Sequence, residues 1–95
     1  MGLLEQRIQQ FLLYLKVGRN SSPHTIRSYR ADIDRFIEFA QAQGQSVDEL
    51  FFFYMPAKFM RTYLAELKIR GYERRTIARR IASLKSFFRY LCQEE

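Results

Sequence analysis

An all-α domain of four helices, compact and bundle-like, is the fold this sequence predicts, and three observations carry that expectation. Apolar residues recur at spacings of three and four along four separate stretches, which is the pattern of one helix face. Glycine and proline are scarce, at four and two in 95 residues, too few turn formers for a sheet-rich sandwich. Apolar residues make up 47% of the chain, enough for one hydrophobic core, and the length suits one domain and not two.

The first helix is expected from about Leu3 to Val17, with Leu4, Ile8, Phe11, Leu12 and Leu15 on one face. Gly18 can end it in a left-handed turn, and Arg19-Asn20-Ser21 forms a polar connector. Ser22 is a good N-cap for the second helix, and Pro23 suits its first position, where the missing N–H costs nothing. Ile26, Tyr29, Ile33, Phe36, Ile37 and Ala40 then line one face, and Gly44 closes the helix. His24, Arg27, Ser28, Ala31 and Arg35 fall on the opposite face.

Between Ser46 and Tyr54 the pattern is weaker. Ser46 can cap a short turn holding Asp48 and Glu49, whose charges suit a helix N-terminus. Phe51-Phe52-Phe53-Tyr54 shows no helical or strand period. These rings either pack between the second and third helices or form an exposed apolar patch for a second copy or another domain. The third helix is expected to begin at Pro56, with Phe59, Met60, Tyr63, Leu64 and Leu67 inward and Gly71 at its end. The fourth is expected from about Arg74 to Cys92, its stripe formed by Ile77, Ile81, Leu84, Phe88 and Leu91. Glu73 stands at its cap position.

Charge gives the first functional clue. Sixteen Lys and Arg against ten Asp and Glu leave a net charge of +6. A basic domain favours polyanions such as nucleic acid or anionic lipid, but ordinary solubility explains a total of this size equally well. Distribution is more telling. From Lys68 to Arg89 eight residues are basic and one, Glu73, is acidic. Opposite the apolar stripe of the fourth helix lie Arg75, Arg79, Ala82, Ser83 and Ser86. Small residues permit close approach to a major groove, while arginines reach phosphates or the acceptor edge of guanine. A merely solvated face usually mixes signs in i,i+4 pairs. The second helix repeats the theme: His24, Thr25, Arg27, Ser28 and Arg30 cluster in its first two turns, beside orphan N–H groups that favour phosphate.

Catalytic groupings are absent from the sequence. One histidine and one cysteine, Cys92, cannot make a metal site, and no metal-ligand spacing or glycine-rich phosphate loop occurs. Tyr14, Tyr29 and Tyr63 stand at packing positions, and no tyrosine has an Arg/His/Lys cluster suited to a phosphoryl-transfer transition state. No cofactor and no metal are expected. No apolar run approaches ~18 residues, so a cytoplasmic protein away from membranes is the expectation.

The segment Ser22-Pro23-His24-Thr25-Ile26-Arg27-Ser28-Tyr29-Arg30-Ala31-Asp32-Ile33 resembles the S-x-x-T-x-x-x-Y-x-x-D-[LI] pattern in the N-terminal domain of Xer-type tyrosine recombinases and phage integrases. Tyr63 to Leu67, followed by Gly71, resembles that family's next helix. Arg75 to Leu91 resembles its R-T-I-x-R-R-[LI]-S-x-L-[RK]-x-F-F-x-Y-L helix. The resemblance covers most of residues 4–92. It implies a SAM-like core-binding domain spanning residues 1–95 that forms half of a C-shaped clamp on double-stranded DNA. By position, the contacts it implies come from His24, Thr25, Arg27, Ser28 and Ala31 and from Arg75, Thr76, Arg79, Arg80 and Ser83.

The resemblance further implies a catalytic domain C-terminal to this chain in the same polypeptide, carrying the strand-breaking residues, and other recombinase protomers on the DNA. The roles implied are DNA recombination, DNA integration or chromosome partition. The ending Gln93-Glu94-Glu95 reads like an interdomain linker. Met55 and Glu73 stand where the family often has Ser or Thr caps, and Phe51 to Tyr54 replaces a more polar connection. Two other classes remain in view. A helix-turn-helix regulator needs a shorter turn than the one between the second and third helices. A helical protein-interaction module would use Phe51 to Tyr54.

Overall fold

The computed structural model describes residues 2–93; the side chains of Glu49, Leu50 and Phe53 lie outside the described set, as do Met1, Glu94 and Glu95. The element order is α1 (Leu3–Leu13), a π-helical turn (Tyr14–Gly18), α2 (Pro23–Ala42), α3 (Glu49–Tyr54), α4 (Ala57–Ile69) and α5 (Arg74–Gln93). The fold is all-α, as the periodicity predicts. Among the described residues the four expected helices are α1, α2, α4 and α5, and the Ser46 to Tyr54 segment adds the six-residue α3.

Local chemistry sets the boundaries. The Thr25 N–H donates to Ser22 Oγ at 3.1 Å, and Pro23 occupies the first turn, so α2 starts where the sequence says. At its end Gly44 takes φ +85°, the Gly44 N–H donates to Gln41 O at 3.0 Å, and the Gln45 N–H donates to Ala40 O at 3.1 Å. Gly71 repeats the arrangement after α4, with the Tyr72 N–H on Leu67 O at 3.2 Å. Both ends satisfy the last carbonyls by a left-handed glycine.

Three boundary expectations are corrected. Gly18 is not left-handed; Asn20 is, at φ +54°. The π turn delays the reversal, and an asparagine side chain tolerates that conformation. A Cβ at Gly18 would stand 3.2 Å from the Tyr14 ring, which would have to give by a few tenths of an ångström. The cap of α3 is Asp48, whose Oδ1 accepts from the Phe51 N–H at 3.0 Å, and not Ser46. Pro56 is the N-cap of α4 and not its first residue.

The core is built on aromatic rings. Phe11, Phe36 and Phe87 are fully buried, together with Ile8, Leu15, Ile33 and Leu84. Phe36 of α2 lies 6.0 Å from Phe52, 5.0 Å from Tyr63 and 6.3 Å from Phe88, measured between ring centroids. Phe87 of α5 bridges onward to Phe52 at 5.3 Å and Phe11 at 5.2 Å. Offset and edge-to-face pairs such as these add to what burial alone supplies. Phe51 and Phe52 therefore pack against the core, while Tyr54 is 81% exposed. A six-residue helix is too short to display a period, which is why the segment reads as patternless.

α5 touches each of the other four α-helices. Its buried residues are Ile77, Arg80, Ser83, Leu84, Phe87 and Leu91. Ile81 and Phe88, expected at the centre of the stripe, are only partly buried. The buried face is thus rotated toward α2, and two polar residues expected at or near the outer face lie inside.

Candidate nucleic-acid interface

The seam between α2 and α5 is held by a buried carboxylate. Asp32 of α2 is 0% exposed. Its Oδ2 accepts from Arg79 Nη1 at 2.6 Å and from Ser83 Oγ at 2.8 Å, both on α5. Its Oδ1 lies 3.7 Å from Arg35 Nη1, one turn further along α2. Ser83 Oγ also lies 3.1 Å from Arg79 O. An isolated buried carboxylate would cost several kcal/mol; here a guanidinium and a hydroxyl meet it directly and a second guanidinium stands close. The carboxylate sits inside, but Arg35 and Arg79 each keep about half of their side chains in solvent.

Around this seam lies the basic surface. Along α5, Arg74, Arg75, Ala78, Arg79, Ala82, Lys85 and Arg89 are exposed. That face holds five cations and two alanines and no acid. Along α2, His24, Arg27 and Arg35 are exposed, and Thr25, Ser28 and Ala31 are partly buried beside them. Because Arg35 and Arg79 reach one carboxylate, the two faces meet at that point. The result is a cationic strip from two helices with small residues between the cations. Such a strip can follow phosphates and approach base edges.

The residues expected to contact DNA are not placed alike. His24, Arg27 and Arg75 are exposed, Thr76 is partly buried, and Arg79 is half-exposed on the strip. Thr25 helps to build the start of α2, its Oγ1 accepting from Ser22 Oγ at 3.0 Å. Ser83 is 3% exposed, so its hydroxyl serves Asp32 and does not face outward. Arg80 is 6% exposed and lies over the Tyr72 ring at 4.2 Å, a cation–π contact on the inner side of α5. Arg80 also draws the Tyr72 hydroxyl below the usual tyrosine range. Burial pushes the Tyr63 hydroxyl above it, and the nearby guanidinium opposes that shift. Arg30, counted with the basic end of α2, is committed to carboxylates: Nη1 and Nη2 lie 2.9 and 3.0 Å from Glu5, and Nε lies 3.1 Å from Asp34.

Sequence alone does not mark Asp32 as an organising residue, and the resemblance does not place Arg35, Arg74, Lys85 or Arg89 among the contacts. The signal for Asp32 is slight: it is the first acid in α2, on the edge of an otherwise apolar stripe. Its partners lie 47 and 51 residues away.

The family described as the phage integrase N-terminal SAM-like domain matches residues 8–95. This chain belongs to that family. The family's description places such a domain at the N-terminus of phage integrases. Tyrosine recombinase XerC of Halalkalibacterium halodurans is 37% identical over 91 residues, which cover 96% of this chain and 29% of the relative. The XerC of Listeria welshimeri is 41% identical over 95 residues, covering 98% and 29%. That of Oceanobacillus iheyensis is 34% identical over 94 residues, covering 99% and 30%. The chain spans about three tenths of the length of these curated relatives. No solved structure matches it. In this SAM-like domain the two sequence patterns read above meet physically, the first supplying Asp32 and the second Arg79 and Ser83. Among the described residues no helix is long and apolar enough to cross a membrane.

Proposed function

We propose that this domain, as one unit over residues 1–95, binds double-stranded DNA along the α2–α5 seam. In doing so it clamps a recombination site for a catalytic domain carried by the same polypeptide. The observation that carries the proposal is the acid-free exposed face of α5 beside the basic end of α2. Arg27, Arg35, Arg74, Arg75, Arg79 and Lys85 supply the phosphate and base contacts, with Ala31 and Ala82 leaving room for the groove wall. Arg80 and Ser83 support the seam from inside. The domain positions DNA and performs no strand cleavage, and further protomers on the same DNA complete the assembly in the cytoplasm.

A salt titration tests the proposal. With about five to seven cations on phosphates, log K falls against log salt with a slope of roughly −4 to −6 on a duplex. A slope near zero, or no binding at low salt, overturns it in favour of a protein-interaction module. In parallel, supercoiled plasmid incubated with the pure chain keeps its topology; relaxation would overturn the binding-only role.

A further inference from the structure

We infer that Asp32 is a positioning residue for DNA recognition: buried between α2 and α5, it fixes the direction of Arg79 on the DNA-facing strip. The inference rests on the DNA-binding proposal above and goes beyond it, because it assigns a function to an acid that no DNA can touch.

Geometry carries it. A carboxylate inside a strip that binds a polyanion is an electrostatic cost to binding, since it subtracts charge where charge is wanted. Packing does not require it either; a neutral side chain of the same volume would fill the space. What the carboxylate supplies is direction. Arg79 projects from α5 on a long, rotatable stem, and without an anchor it would sample many rotamers. Asp32 takes one N–H of its guanidinium, at Nη1. Four of the five donors remain for an outside partner. Ser83 donates to the same Oδ2, which holds the carboxylate itself in place. Arg35 approaches Oδ1 from the α2 side. One buried group therefore sets the heading of the Arg79 guanidinium by a hydrogen bond and draws Arg35 toward the same point by charge. Pre-ordering of that kind lowers the entropy lost on binding, and planar bidentate contact to a base edge depends on orientation more than on net charge.

The test separates direction from charge. A duplex enriched by the wild-type chain from a random-sequence pool is compared with a random duplex of equal length, for wild type, D32N, R79A and the double variant. The D32N substitution keeps the shape and removes the negative charge. If charge alone matters, D32N binds both duplexes more tightly and the ratio of affinities is unchanged. If Asp32 positions Arg79, D32N binds the random duplex as well as wild type or better, and the ratio falls about tenfold. In the R79A background D32N then changes the ratio less than twofold, because the residue it acts through is gone. An unchanged ratio in D32N overturns the inference, as does an equal fall in both backgrounds. Should D32N lose its helical circular dichroism, S83A replaces it: the charge stays, one anchor of the carboxylate goes, and the ratio falls severalfold in the presence of Arg79 only. Wild type that binds neither duplex overturns the DNA-binding proposal and this inference with it; wild type that binds, with D32N unchanged, overturns this inference alone.

Discussion

Arg30 and Glu5 form a two-pronged ion pair between α2 and α1, with Nη1 on one carboxylate oxygen at 2.9 Å and Nη2 on the other at 3.0 Å. The same guanidinium turns its Nε to Asp34 one turn along α2. One arginine thus engages two carboxylates and ties the N-terminal helix to the body of the domain. Replacing Arg30 by Ala is expected to lower stability by about 1 kcal/mol, at the upper end for exposed pairs because the geometry is bidentate and partly shielded. DNA affinity per unit of folded protein is expected to change little. Urea unfolding and a duplex titration on the same sample check both parts; a large affinity loss with unchanged stability would place Arg30 on the binding strip instead.

The pair also shapes acid stability. The hydrogen bond from Arg30 holds the Glu5 carboxyl below its usual range, aided by Gln9. A lowered folded-state value means that the contribution is complete above the unfolded value of about 4.3 and is lost as pH falls through the folded one. Urea midpoints measured from neutral to about pH 3 are expected to drop on the acid side, and E5Q is expected to flatten that part of the drop. A mutant with the same acid profile as wild type would show that other carboxylates account for it.

Arg75 and Arg79 are expected to behave differently in stability although both lie on the strip. Arg75 is exposed, so its loss shifts unfolding by no more than about 0.5 kcal/mol. Loss of Arg79 strips the buried Asp32 of its closest cation. Breaking a fully buried pair costs about 3–5 kcal/mol, and with Arg79 half in solvent about 1–2 kcal/mol is expected. The two alanine variants compared by thermal unfolding decide this, and equal midpoints would be the adverse result.

Arg80 should register first in the fold. Its guanidinium covers the Tyr72 ring and lies against the cluster around Tyr63. Alanine there removes a cation–π contact and opens a buried space, at a cost of about 1–2 kcal/mol. It also releases the Tyr72 hydroxyl, whose value is drawn down by this arginine, so ionisation of Tyr72 moves to higher pH. An ultraviolet titration of the tyrosines follows the shift. No change in the early-titrating tyrosine would contradict the contact.

Phe36 lies at the centre of a ring cluster, facing Phe51, Phe52, Phe59, Tyr63 and Phe88. Its truncation to Ala is expected to cost about 3–5 kcal/mol. For a small domain that is a large share of a total of about 5–15 kcal/mol. Loss of helical circular dichroism near room temperature in mild urea is the expected readout, and a near-wild-type unfolding midpoint would count against this packing.

Much of this was legible in the residues. Ser22 and Pro23 mark the start of α2 by chemistry that acts within four residues, and Gly44 and Gly71 mark helix ends for the same reason. Apolar periodicity located the long helices because each has one dominant buried side. What escaped depended on neighbours distant in the chain. Ser83 and Arg80 sit on the flank of α5, where period alone cannot say whether water or another helix lies beyond. It is α2 that covers Ser83, and the charge of Asp32 that makes a serine useful there. The π turn after α1 was hidden because nothing in Tyr14 to Gly18 distinguishes a wider turn from an ordinary one until Tyr14 is seen against Gly18.

The linked rings also determine how the molecule can be observed. The chain has no tryptophan but six tyrosines and nine phenylalanines, and many of those rings lie in fixed contact from Tyr14 and Tyr90 at one end to Phe39 and Phe59 at the other. Fixed rings give near-ultraviolet circular dichroism and spread the resonances of neighbouring methyl groups, and both signals vanish when packing loosens even if helices persist. The domain therefore carries its own label-free gauge of core order, independent of its helix content. A single tryptophan introduced at the binding strip would stand alone in emission, and occupancy of the surface could be followed in the same cuvette as integrity of the interior.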